Sequence, residues 1–125
     1  FPGVKVEEVR QQLQALAGPD VTVTAVEGSQ TPETAPTPIR QDVLDAYKAA
    51  VATRFKDAPV VPYQSAGATD GAFLRANGIP VYGFGGLWGI VGEREGAHGL
   101  DERVNAEGFH GQIPIWMDML KRLAG

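Results

Sequence analysis

Only two histidines occur in the 125 residues, and both fall in the stretch GAHGLDERVNAEGFHG, residues 96–111. His98 lies among glycines, three positions before Asp101-Glu102-Arg103. Imidazole suits zinc, and a neighbouring acid can orient the ring and raise its basicity. A surface histidine without a partner has the same sequence surroundings, so both readings stand at this point. Arg103 is expected to pair with one of the two carboxylates before it. His110 stands one residue off an apolar stripe, which favours a packing or half-exposed role.

Two glycine-rich stretches could also do chemistry. In GATDGAFLR, residues 67–75, Thr69 and Asp70 offer a hydroxyl, a carboxylate and backbone N–H groups at a helix start. Such a start favours anions, although Thr69 is equally a plain N-cap. GFGGLWG, residues 83–89, loosely resembles a phosphate loop, but no helical pattern follows its glycines and the dinucleotide fingerprint fails. Those glycines are read as allowing tight backbone turns near a ligand. No Gly-x-Ser-x-Gly elbow is present.

These candidates must be held by the elements around them. Val6, Val9, Leu13 and Leu16 share one face of a short helix that Gly18 and Pro19 stop. DVTVTAVEG, residues 20–28, alternates and is β-branched, which predicts a strand. SQTPETAPTP, residues 29–38, reads as a linker and a domain boundary. Thr37-Pro38 is expected to open a second helix, as N-cap and first helical residue. APVVPYQS and IPVYGFGG read as further strands, with a short helix between them. A loop of about 18 residues follows. Asn105 can cap the final helix, in which Phe109, Ile113, Trp116, Leu120 and Leu123 repeat as a buried stripe. Pro114 lies inside that helix and is expected to kink it. Strand and helix alternate from 59 to 124, which predicts an α/β domain with parallel strands and flanking helices.

Composition narrows the function classes. Hydrophobic residues make up 43% of the chain, as in a globular domain. A formal net charge of −4 gives no basic footprint for nucleic acid. No apolar run approaches the ~20 residues that span a bilayer. Cysteine is absent, so neither disulfides nor cysteine-ligated zinc arises, and cytoplasm and periplasm both fit. The first residues, FPGVKVEEV, lack both Met and a signal-like pattern, so the start is expected to be processed or cut from something longer.

Two long stretches, taken together, resemble a known family. SAGATDGAFLRANGIPVYGFGG, followed by a variable loop and AHGLDERVNAEGFHGQIPIWMDMLKRLAG, resembles the C-terminal end of the two-zinc metallohydrolases. These include aminoacylases, glutamate carboxypeptidases and succinyl-diaminopimelate desuccinylases. FPG followed by VEEV is similar to the family's lid domain. The resemblance implies an α/β zinc-peptidase-like catalytic domain, mostly parallel sheet with flanking helices, plus the end of a smaller α+β lid. Residues 1–36 would be the remaining lid and linker, and residues 37–125 the C-terminal part of the catalytic domain.

The resemblance also implies a chemistry. A zinc-activated water attacks an amide beside a free carboxylate, in a small peptide or an N-acyl amino acid. His98 matches the last metal ligand, and Thr69 a substrate-binding position. Asp70, Glu102 and Arg103 match positions that support the site without touching substrate. No catalytic residue falls in this chain, because the His-x-Asp motif, the bridging Asp and the Glu-Glu pair precede this region in the family. Ala72 stands where many relatives carry Arg. The chain is therefore expected to be an incomplete part of the enzyme, packed against its N-terminal part, and a homodimer through the lid is possible in the family. The alternative is a non-catalytic fragment that acts as an assembly or dimerisation module. A small α/β domain holding an anion in its glycine loops is a third reading.

Overall fold

The computed structural model describes residues 1–28, 31–65, 67–89 and 96–125. It contains four helices among them: α1 (Val6–Ala17), α2 (Gln41–Ala52), α3 (Gly71–Ala76) and α4 (Ala106–Ala124). No strand occurs among the described residues. The expected α/β architecture, with its mostly parallel sheet and α+β lid, is therefore corrected to an all-helical one. The physical reason is local. A strand exists only when its backbone groups pair with a second strand, and here side chains take those groups. The Val23 N–H donates to Gln14 Oε1 at 2.9 Å, and the Val21 carbonyl accepts from Gln14 Nε2 at 2.7 Å. The Val81 N–H donates to the Thr37 hydroxyl at 3.2 Å.

The chain divides into two compact units, residues 1–38 with 62–82 and residues 39–61 with 83–125. In the first unit the proline-rich stretch serves as a hub. Glu33 reaches the open N-terminus of α1, where Lys5 gives no side-chain cap. Its Oε1 accepts from the Val6 N–H at 2.8 Å and its Oε2 from Lys5 Nζ at 3.0 Å. The Thr34 carbonyl accepts from the Gly3 N–H at 2.7 Å, and its hydroxyl from Arg75 Nε at 3.1 Å. Tyr82 donates its hydroxyl to the Pro38 carbonyl at 2.9 Å. Glu7, within the first turn of α1, pairs with Arg10 at 2.6 Å. The stripe of Val6, Val9, Leu13 and Leu16 stays exposed, and α1 buries no residue.

In the second unit α2 packs on α4. α2 begins at Gln41 with Arg40 as N-cap, later than the Thr37-Pro38 start expected, because Thr37 spends its hydroxyl on Val81. The core is Ala46 and Ala50 of α2 with Ile115 and Met119 of α4. Tyr47, Phe55, Phe84, Trp88 and Trp116 pack around it. Alanines on α2 let the helix backbones approach closely, so the narrow face of α4 turns inward. Ile115 and Met119 are 3% and 4% exposed. Ile113, by contrast, is 54% exposed, and Phe109, Leu120 and Leu123 are also exposed. The stripe expected to be buried is thus mostly the outer one. α4 runs on through Pro114, with Asn105 capping it by accepting from the Gly108 N–H at 2.7 Å.

Candidate metal centre

His98 sits in a turn over 97–101, between Gly96 and the exposed Asp101, Glu102 and Arg103. The Gly99 N–H donates to the Gly96 carbonyl at 2.8 Å and closes the turn. His98 has φ 64°, the one positive φ of a non-glycine residue among the described residues. An L-residue in this region costs ~1–2 kcal/mol relative to the right-handed one. Such strain is often found where a site requires a set side-chain direction. The imidazole is exposed, and no hydrogen bond to it is made among the described residues.

The acids beside it do not gather on the ring. Among the described residues, no ion pair joins Arg103 to Asp101 or Glu102, which corrects the pairing expected there. Exposed pairs of this kind contribute little, ~0–1 kcal/mol, so nothing forces the contact. No group of three or more His, Cys, Asp or Glu forms among the described residues. A catalytic zinc usually takes three protein ligands and keeps an open position. The donor chemistry of an imidazole suits zinc, but the described residues bring no such set of ligands together at His98.

Thr69 and Asp70 belong to the first unit, and the histidine turn to the second. The Thr69 hydroxyl accepts from the Gly71 N–H at 3.4 Å, and the Thr69 carbonyl accepts from the Ala72 N–H. Asp70 takes the N-cap position of α3 but makes no side-chain cap bond. Ala72 is buried at the start of this helix. His110 is exposed, with its ring edge-on to Phe109 at 5.5 Å.

The 83–89 stretch packs rather than cradles. Phe84 packs on Tyr47 with the rings tilted by 41° and their centres 4.8 Å apart, and it meets Trp116 edge-on at 6.4 Å. Tyr47 donates its hydroxyl to the Gly85 carbonyl. Burial pushes the Tyr47 phenol above its ordinary range, against the opposing pull of that hydrogen bond. Gly86 is buried, and a Cβ there would lie 2.9 Å from that of Gln112. Trp88 meets Phe55 edge-on at 5.2 Å and lies under the Arg54 guanidinium at 4.2 Å. The sequence reading missed this cluster. Its one written signal is the Gly108-x-x-Gly111 spacing on α4, which clears a seat for a large ring.

No helix among the described residues is long and apolar enough to cross a membrane. Set beside known proteins, the chain matches no family model, no curated protein and no solved structure.

Proposed function

We propose that this chain supplies one zinc ligand, His98, to an amide-bond hydrolase whose other ligands and general base lie on chain outside these 125 residues. The observation that carries the proposal is the exposed imidazole held in a left-handed backbone conformation in the AHGLDER turn. The motif pair at 67–70 and 97–104 supports it, independently of any sheet. When bound, zinc would polarise the scissile carbonyl and lower the pKa of its water towards ~7. The chain's own residues then have limited tasks. His98 presents a neutral ring nitrogen to the metal. Thr69, an exposed residue, holds the carboxylate of a small peptide or an N-acyl amino acid. Asp70 would set the charge beside Thr69, and Glu102 and Arg103 the charge beside His98, each within its own unit.

The test is His98→Ala in the protein that carries the remaining ligands. Activity should disappear, and about one zinc per subunit should be lost from a two-zinc site. Full activity with unchanged metal content would refute the assignment.

A second reading is favoured by a different observation. Val9, Leu13 and Leu16 on α1, with Phe109, Ile113 and Leu120 on α4, are exposed apolar faces. A non-catalytic assembly module would use such faces for association. Under this reading, the chain takes up no zinc, its self-association depends on these residues, and His98→Ala changes nothing. Sedimentation of the chain beside Leu13→Ser and Ile113→Ser tests this reading, and self-association unchanged in both variants would refute it.

A further inference from the structure

The segment bearing His98 runs between two stems of the second unit, residues 83–89 before it and 104–111 after it. Both stems meet in one cluster. A methyl group on Gly108 would overlap the Trp88 carbonyl oxygen, and one on Gly111 would overlap the Trp88 ring. The backbone of one stem therefore lies directly on the helix of the other, at positions that accept only glycine without movement. Arg54, from just beyond the end of α2, closes the arrangement on the outside. Its guanidinium stacks over Trp88 at 4.2 Å and pairs with Glu107 at 2.8 Å. One side chain thus bridges both stems, by cation–π attraction to the first and an ion pair to the second.

We infer that Arg54, Trp88, Glu107, Gly108 and Gly111 form a clasp that positions His98 by tying together the two stems of its segment. The inference rests on the proposed function only in calling the positioned group a zinc ligand. Loops whose ends are pinned are a common way to present functional residues. A site group must be held by its surroundings to be useful. None of the five residues would touch metal or substrate, so they are positioning residues.

The experiment uses this chain without metal. Backbone 15N order parameters over 96–104 and the ring Cε1–H shift of His98 are measured in the parent, Arg54→Met, Arg54→Lys and Glu107→Gln. In the parent the order parameters should exceed the ~0.6 that marks flexible backbone. Arg54→Met should bring them below ~0.6 and move the His98 ring signal. The amide signals of Ala50 and Met119, in the α2–α4 core, should stay in place. Arg54→Lys keeps the charge towards Glu107 but loses planar stacking, so it should restore part of the order. Glu107→Gln is the milder variant, at an exposed residue, and should act in the same direction if Arg54→Met does not fold. A parent already below ~0.6 over 96–104 would overturn the inference. So would unchanged values in every folded variant. Zinc enters none of these readouts, so the clasp can fail while His98 remains a ligand, and it can hold while His98 proves not to be one.

Discussion

Ile115 and Ile113 offer the sharpest test of which face of α4 is the inner one. They are the same residue two positions apart, and the structure gives them opposite fates. Ile115 is 3% exposed and belongs to the core with Ala46, Ala50 and Met119, whereas Ile113 is 54% exposed. Truncation to Ala removes about three methylene equivalents, worth ~0.8 kcal/mol each when fully buried. At Ile115 this gives ~2.4 kcal/mol, and the cavity left between α2 and α4 raises the cost to ~3 kcal/mol. At Ile113 less than half of the side chain is shielded and no cavity forms, so the cost is ~1 kcal/mol. Both variants gain the same helix propensity, which cancels in the comparison. The expected gap is therefore ~2 kcal/mol, or ~8–16 °C in midpoint for a unit of ~60–100 residues. Urea unfolding followed by Trp fluorescence suits the purpose, because Trp88 and Trp116 both pack beside this core. Slopes against urea should be equal, so that the midpoints report stability alone. Equal losses at the two positions, or a larger loss at Ile113, would show that the Phe109–Ile113–Leu120 face is covered and would refute the packing described above.

Three further outcomes can be checked on the same chain. Gly108→Ala should lower stability by ~1–3 kcal/mol despite the better helix former, because the new methyl meets the Trp88 carbonyl; a raised urea midpoint would mean that Trp88 is not seated there. The Val6 N–H first, and Lys5 second, hold the Glu33 carboxyl below its ordinary range. The stabilisation from that lowered pKa is present above the ordinary value of 4.5 and is lost as pH falls through the folded-state value. Arg10, hydrogen-bonded to Glu7, brings that carboxyl down to about 2, so its share fades between pH 4.5 and about 2. Glu33→Gln should accordingly lower helical circular dichroism at neutral pH and flatten its loss on acidification, and a curve that matches the parent would dismiss Glu33 as a cap. Finally, His98→Gly relieves the left-handed strain and should raise stability by ~0.5–1 kcal/mol while removing the proposed ligand; a loss of stability would mean that the imidazole itself holds the turn.

The helices were legible because their signals are local. Gly18 and Pro19 follow the end of α1, Asn105 caps α4, and the apolar periodicity lies within each segment. The strands were misread because β-branched alternation names a segment that can pair, not one that has a partner. Residues 20–28 carry that alternation, yet Gln14 and Arg10 on α1 satisfy the backbone of Val21 and Val23. The inner face of α4 was misread for a related reason. Phe109, Ile113, Trp116, Leu120 and Leu123 outweigh Gly108, Gly111, Ile115 and Met119 in size, so hydrophobicity alone points to the larger set. Ala46 and Ala50 reverse that choice, since a smooth α2 surface rewards close approach over bulk.

The candidate site shows the same division. The sequence put His98 in a long glycine-rich loop, where the structure has a turn over 97–101, and a sequence reader assigns any left-handed residue in Gly-Ala-His-Gly to a glycine. The chain gives one of its left-handed positions to His98 even though glycines stand at 96 and 99. Glycine would be the less strained choice for the fold there. Gly96 takes a left-handed conformation as well, so the turn uses two such positions and gives the second to a residue with a side chain. The clasp proposed at Trp88 and Arg54 answers to that second position, because an exposed side chain keeps a set direction only where the chain that carries it is held.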